Sequence, residues 1–277
     1  MTKIKINEAM LSTEPAINYS HCYVQCVDNM QLLKSQPNES VDLIYSDILY
    51  GTGRNFGEYQ DLKPKRDVIE SHYLTRLIEM KRVLKQNGSI YLQMDTRINH
   101  WMRILMDKVF GYDNFQNEIV WLYRSGGRAK KNFTKNHDII LFYTKSKEYV
   151  FNQQFDKSYL PKMKGRVKFE KELGGYYDNC DFCDSKNVAV RKVEAPDFVE
   201  VNMLSCRNSE RTGYPTQKPK ELIKRFVLAS SNEGDVVADY YLGSGTTAEV
   251  CKDLNRNFIG CDISEKAIEI TKQRLSD

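Results

Sequence analysis

No run in this 277-residue sequence approaches the roughly 20 consecutive apolar residues needed to span a bilayer. The first 20 residues, MTKIKINEAMLSTEPAINYS, lack the apolar segment of an export signal, so a cytoplasmic setting without membrane contact is expected. Cysteine is sparse and odd in number: seven residues scattered along the chain argue for reduced thiols rather than a disulfide framework. The lone CxxC, Cys180 and Cys183, has no second pair and no nearby His, so no metal site is expected. Internal repeats, low-complexity tracts and a GxxxxGK[ST] phosphate loop are all lacking.

What is present is enough apolar material for a full core, at 41% hydrophobic residues, under a mild net charge of +4. The charge is uneven. Arg124 to Lys147 carries seven Lys and Arg against one acid, Asp138, which points to a polyanionic partner. Apolar runs at strand length, HCYVQCVD, VDLIYSD, SIYLQMD, NEIVWLYR and DIILFYTK, alternate with stretches of helical spacing. These are MQLLKS, Val68 to Leu84 stopped by KQNG, and residues 97–111 with Gly111 as the C-cap. The alternation predicts an α/β fold with a mainly parallel, doubly wound sheet. Periodicity fades after about Ser146 and returns as a βαβα unit from Lys218 onward. The expected division is therefore 1–149, an insert at 150–210, and 211–277.

The turn in YYLGSGTTAEV places Gly243, Ser244 and Gly245 between a strand and a helix start, where the backbone can approach a ligand closely. GxG alone also suits a tight structural turn. The following strand, FIGCDIS, ends on Asp262, 17 residues after Gly245, near the offset at which an acid meets ribose hydroxyls. The pair of signals points to a nucleoside cofactor. Asp28 suits a helix cap, Lys218 a solvated surface, and Asp47 with Tyr50 a turn acid and a ring covering the core, as readily as any binding role.

In order along the chain, SVDLIYSDILYGTG, GSIYLQMD, NEIVWLYRSGG, NHDIILFYTKS, SERTGYPTQKP, DYYLGSGTT and NFIGCDIS resemble the motifs of the β-class amino-group DNA methyltransferases. In that class the catalytic motif precedes the cofactor motif, a circular permutation. The resemblance implies a Rossmann-like methyltransferase fold, S-adenosylmethionine as cofactor, and transfer of its methyl group to adenine N6 in a specific double-stranded DNA sequence after base flipping. It implies catalytic roles for Asp47 and the Ile48 carbonyl, which would hold the amino group, and for Tyr50, which would stack on the base. Asp28, Thr216, Lys218, Asp239, Gly243, Ser244, Gly245 and Asp262 would line the cofactor, with Lys218 on its carboxylate. Residues 150–210 would recognise the target sequence. A partner restriction endonuclease and a homodimer are further expectations carried by the family.

Arg124, Arg128, Lys130, Lys131 and Lys135, with Lys157, Lys162, Lys164, Arg166 and Lys168, are candidate phosphate contacts, interleaved with Tyr123, Phe133 and Tyr143. The family carries two prolines where this chain has Ile48 and Leu49, and one at Tyr240. Proline restricts φ, so its loss removes rigidity from the loop that aims Asp47. That departure supports a second reading, a catalytically weak or inactive DNA-binding homologue; cytosine-N4 or RNA methylation is a third.

Overall fold

A computed structural model describes residues 17–19, 22–123, 129–161 and 188–276. In chain order the elements are β1 (Ile17–Tyr19), β2 (Cys22–Cys26), α1 (Asn29–Ser35), β3 (Val41–Asp47), α2 (Arg66–Val83), β4 (Leu84–Met94) and α3 (Asn99–Phe110). There follow β5 (Phe115–Leu122), β6 (His137–Thr144), β7 (Phe155–Pro161), β8 (Val188–Glu194), β9 (Phe198–Glu200), α4 (Lys220–Ser230), β10 (Val236–Asp239), α5 (Thr246–Asp253), β11 (Asn257–Asp262) and α6 (Glu265–Ser276). None of the described helices is long and apolar enough to cross a membrane.

Nine strands form one sheet in the order β1-β2-β11-β10-β3-β4-β6-β5-β9. The five strands β2, β11, β10, β3 and β4 are parallel, and β6 is antiparallel to both β4 and β5. Because side chains alternate across a strand, each strand feeds two cores. Ile44, Ile90 and Leu92 pack with α1, α2 and α3 through Leu32, Leu77 and Met106. Leu43, Tyr45 and Tyr91 pack on the other face with α4, α5 and α6 through Phe226, Ala248 and Ile268. In α2 the buried residues Ile69, Tyr73, Leu77, Met80 and Val83 recur at three- and four-residue steps, one stripe of a helix. The doubly wound expectation holds.

One local expectation fails. KQNG does not stop α2; the helix ends at Val83, Leu84 is already extended, and KQNG lies within β4. The β3–β4 pairing jumps from Val41↔Leu84 to Leu43↔Ser89, so residues 85–88 form an excursion in the strand. Gly88 serves that excursion: a Cβ there would stand 2.7 Å from the Leu84 side chain and 2.9 Å from the Asp42 carbonyl.

The chain divides into a large unit, residues 1–152 with 197–277, and a small one, Gln153–Pro196. In the small unit β7 and β8 pair antiparallel from Phe155↔Glu194 to Pro161↔Val188. Residues 197–210, placed in the insert by their lack of periodicity, belong to the large unit, where β9 extends the sheet beside β5.

The large unit fixes the location of a site. From β3 the chain winds one way to β4, whereas β10 leads the other way to β11, so β3 and β10 flank the point where strand order reverses. Crevices open at the carboxyl ends of strands at such points. Asp47, Asp239 and Asp262 each end one of these parallel strands. Gly245 makes the turn into α5 at φ 75°, and a Cβ there would stand 2.3 Å from the Thr271 hydroxyl of α6. Gly245→Ala is expected to lower stability by about 2–4 kcal/mol, from left-handed strain plus overpacking, as measured by urea unfolding.

Candidate active site

The crevice at the switch point encloses about 920 Å³ of empty space, counting the part open to solvent. Its walls bring together residues distant in sequence: Asp28, Asp47 to Tyr50, Thr216, Lys218, Gly243 and Asp262. An adjoining smaller hollow is lined by Asp239, Ser244 and Thr247 together with Asp47, Lys218 and Gly243.

The loop after β3 lines the crevice, and its backbone is held at several points. Ile48 N–H donates to the Gln93 carbonyl at 3.1 Å, and the Ile48 side chain is buried in the core. The Tyr73 hydroxyl donates to the Leu49 carbonyl at 2.9 Å. Asp61, 3% exposed, accepts from Gly51 N–H, Thr52 N–H, the Thr52 hydroxyl and Leu62 N–H. A proline at 48 would lack the N–H that binds Gln93. Tyr240 likewise uses the N–H that a proline would lack, donating to Ser46 Oγ at 3.2 Å, and its hydroxyl donates to Gln36 at 2.7 Å. Two of the three departures from proline, Ile48 and Tyr240, are thus built into the hydrogen bonding, whereas the bond at Leu49 uses a carbonyl that proline would keep.

Asp47 forms an ion pair with Lys218, whose ammonium also donates to the Thr216 carbonyl at 3.2 Å. Burial pushes the Asp47 carboxyl up, and the Lys218 charge and the hydrogen bonds from Lys218 and Tyr50 pull against it. The Tyr50 hydroxyl lies 2.8 Å from Asp47 Oδ1 and 2.7 Å from Oδ2 of Asp138, the one acid of β6 and buried. Asp138 accepts in addition from the Tyr123 hydroxyl at 3.0 Å and from Gln93 Nε2 at 3.2 Å. The Tyr45 hydroxyl donates to Gln93 Oε1. Two carboxylates, three phenols, an amide and one ammonium therefore form a continuous polar network at the floor of the crevice.

On the opposite side, Asp262 accepts from Gly243 N–H at 2.8 Å and Ser264 N–H at 2.9 Å, and burial pushes its carboxyl up. Gly243 takes φ 53°, which leaves bare backbone facing Tyr214, whose ring would lie 3.5 Å from a Cβ. Asp28 sits in the crevice wall and also caps a helix. It caps α1 by accepting from Met30 N–H at 2.9 Å, lines the crevice, and pairs with Arg76 at 3.4 Å. Ser244 lines the smaller hollow while its hydroxyl is turned to Thr246 and Arg274, and Gly245 lies against Thr271.

Asp239 is buried, accepts from the Thr247 hydroxyl at 2.6 Å and Tyr241 N–H at 3.0 Å, and is pushed up to about 7 by desolvation. Between its ordinary value of 3.8 and about 7 the folded chain keeps a proton that the unfolded chain releases, so this group makes stability fall as pH rises through that window. Urea unfolding of Asp239→Asn across pH 4–8 is expected to lack that part of the slope.

Of the candidate DNA contacts, Lys130, Lys131 and Lys135 are exposed in the loop between β5 and β6, as is Phe133, at 98%. Tyr143 is corrected: it is buried against α3 and donates to Asp107. Tyr123 faces Asp138. Arg124, Arg128, Lys162, Lys164, Arg166, Lys168, Cys180 and Cys183 lie outside the described residues, as does the side chain of Lys157. Sequence reading missed Gln93, Asp138, Asp61, Tyr73 and Arg76. Only Asp138 left a trace, as the one acid in a basic tract and at the head of an apolar strand.

Comparison with known proteins agrees with this geometry. A family model for N6 and N4 methyltransferases, described as DNA methylase, matches residues 41–273. Type II methyltransferase M.HpaI of Haemophilus parainfluenzae is 33% identical over 252 residues, 90% of this chain and 73% of that protein. DNA adenine methyltransferase YhdJ of Escherichia coli (strain K12) is 33% identical over 254 residues, 90% of this chain and 80% of that protein. The fold matches the crystal structure of the M1.HpyAVI–SAM complex at TM-score 0.58 and 18% identity, over 92% of this chain and 100% of that one. A crevice at the switch point, floored by the DILY loop and walled by the GSG turn, thus comes with a match over most of the chain: the protein belongs to the DNA methylase family.

Proposed function

We propose that this chain transfers a methyl group from S-adenosylmethionine to the N6 amino group of adenine in a specific double-stranded DNA sequence. The observation that carries the reading is the convergence of Asp47, Tyr50, Lys218, Gly243 and Asp262 on one crevice. The lining suits the cofactor. Gly243 leaves a cradle that a side chain would fill, Asp262 offers carboxylate oxygens for ribose hydroxyls, and exposed Ile263 offers an apolar surface for a purine. Lys218 has two of its three ammonium hydrogens engaged, by Asp47 and Thr216, which leaves one for a carboxylate. Bound there, S-adenosylmethionine supplies an electrophilic methyl on a sulfonium, the C–S electron pair returning to sulfur on transfer.

The amino group of adenine is a poor nucleophile because its lone pair is delocalised into the ring. Asp47 and the Ile48 carbonyl accept its two hydrogens and favour a pyramidal nitrogen with a directed lone pair; Tyr50 holds the ring. Orientation and electrostatics supply the acceleration. A base reaches this floor only when flipped out of the duplex. Adenine is favoured over cytosine by Asp rather than Ser at position 47 and by the similarity to YhdJ.

We assign phosphate contacts to Lys130, Lys131 and Lys135, target recognition to residues 150–210, and action to the cytoplasm. The Type II names of several relatives support a paired endonuclease. Incubation with methyl-labelled S-adenosylmethionine and unmethylated genomic DNA, followed by digestion to nucleosides, is expected to place label in N6-methyladenine. Label in cytosine, or in no nucleoside, overturns the reading.

A further inference from the structure

The Tyr50 hydroxyl has one hydrogen and two carboxylate neighbours, Asp47 Oδ1 at 2.8 Å and Asp138 Oδ2 at 2.7 Å. A phenol can donate to only one of them. Both contacts become hydrogen bonds only when one carboxyl also carries a proton, which it donates to the phenol oxygen. The triad Asp47–Tyr50–Asp138 therefore has a place for one proton beyond the ionised pair.

Methyl transfer produces such a proton. When the amino nitrogen has used its lone pair to bond to carbon, it is cationic and holds one hydrogen too many. We propose that Asp138 takes up this proton through the Tyr50 hydroxyl, as the second carboxylate of the site. The proton passes from nitrogen to Asp47 Oδ1. Asp47 then gives it to the phenol oxygen while the phenol gives its own hydrogen to Asp138 Oδ2, so Tyr50 ends neutral and Asp47 ionised; once the product has left, the proton returns along the same path to solvent in the open crevice, and the site is reset. No oxidant or further reactant is needed.

The surroundings of Asp138 suit a proton holder. It is buried, and Tyr123 from the end of β5 and Gln93 from β4 donate to it whether or not it is ionised. Among the described residues, the other charged groups facing this network are Lys218, on the Asp47 side, Asp239, whose charge acts on Tyr45, and Arg97, whose charge acts on Tyr123. Burial raises the Asp47 carboxyl, which lets it accept the proton from an amine in passing. Asp138 acts through Tyr50 and is a positioning and proton-accepting residue rather than one that touches the base.

The inference rests on the reading of Asp47 as the acceptor for the amino group, and its test separates the two. Asp138→Asn, Tyr50→Phe and the double variant are compared with wild type in single-turnover methylation of DNA carrying the target site, in H2O and D2O. Each single change is expected to slow transfer about 100-fold, the lower range for proton-transfer groups. Affinity for DNA and for S-adenosylmethionine should stay within about threefold, and the double variant should be no slower than the slower single one, as for residues acting as a unit. The wild-type solvent isotope effect should disappear in all three.

Infrared difference spectra of the free proteins between neutral and acid pH supply a readout independent of activity. A protonated-carboxyl band that wild type gains on acidification should be lost in Asp138→Asn and lost or shifted in Tyr50→Phe, whereas the band of Asp239 stays in both. Unchanged rate and band in Asp138→Asn, additive losses, or a slowdown that follows only a fall in melting temperature overturns the proposal. If Asp138→Asn fails to fold, the band and isotope effect of Tyr50→Phe decide alone. Absence of methylation by wild type refutes the functional reading instead, and the infrared comparison then decides the shared proton by itself.

Discussion

Replacing Asp47 with alanine is expected to lower methyl transfer by on the order of 1,000-fold while leaving S-adenosylmethionine affinity within a few-fold. The carboxylate is the group at the crevice floor able to accept from an amino group and to pass a proton to Tyr50. Its other partner is Lys218, so the substitution also frees an ammonium. That cation opens onto the crevice, where solvent or a ligand carboxylate replaces the lost partner. Cofactor binding therefore persists. Calorimetric titration together with single-turnover rates separates the two effects; a fall in cofactor affinity as large as the fall in rate would place Asp47 on the cofactor instead.

The second large effect is expected at a residue that touches no substrate. Asp61→Ala should slow transfer about 100-fold, the loss associated with a misplacement near 1 Å in an aligned site. Its carboxylate accepts from Gly51 N–H, Thr52 N–H and hydroxyl, and Leu62 N–H, which ties the segment after Tyr50 to the next loop. Removing it leaves these donors without an acceptor at a cost of about 1–3 kcal/mol each where buried, which the loop relieves by moving. Asp61→Asn, which keeps one acceptor oxygen, should fall between. Restoring the family prolines with Ile48→Pro and Leu49→Pro should give an enzyme no faster than wild type, because Ile48 already spends its N–H on Gln93. A sharp gain in single-turnover rate from those prolines would revive the reading of an impaired homologue.

The strands were legible because two-sided burial writes a continuous apolar run: VDLIYSD is β3 from its first residue to its last. The end of α3 was legible through Gly111, which takes φ 98° at its C-cap. The KQNG excursion was not, since a strand that loops out and resumes carries the same turn residues as a helix stop. Gln93 and Asp138 lie inside the quoted stretches GSIYLQMD and NHDIILFYTKS, but nothing in those stretches shows that the fold brings them to Tyr50. Asp138 lies 88 positions from Tyr50, and Asp61 is an ordinary loop acid until Gly51 and Thr52 turn their N–H groups towards it. The missing prolines stood out in the sequence, whereas the hydrogen bonds that replace their rigidity exist only in the folded chain. At Asp28 a helix cap does not exclude a place in the crevice wall, since one carboxylate caps α1 and lines the crevice.

The most direct test of the central claim is single-molecule sequencing of DNA from a host free of adenine methylation, expressing either this protein or its Asp47→Ala variant. The account predicts N6-methyladenine at one recurrent sequence with the wild-type chain and none with the variant. Unmodified DNA, modified cytosine, or the same adenine signal from the Asp47→Ala variant would contradict it.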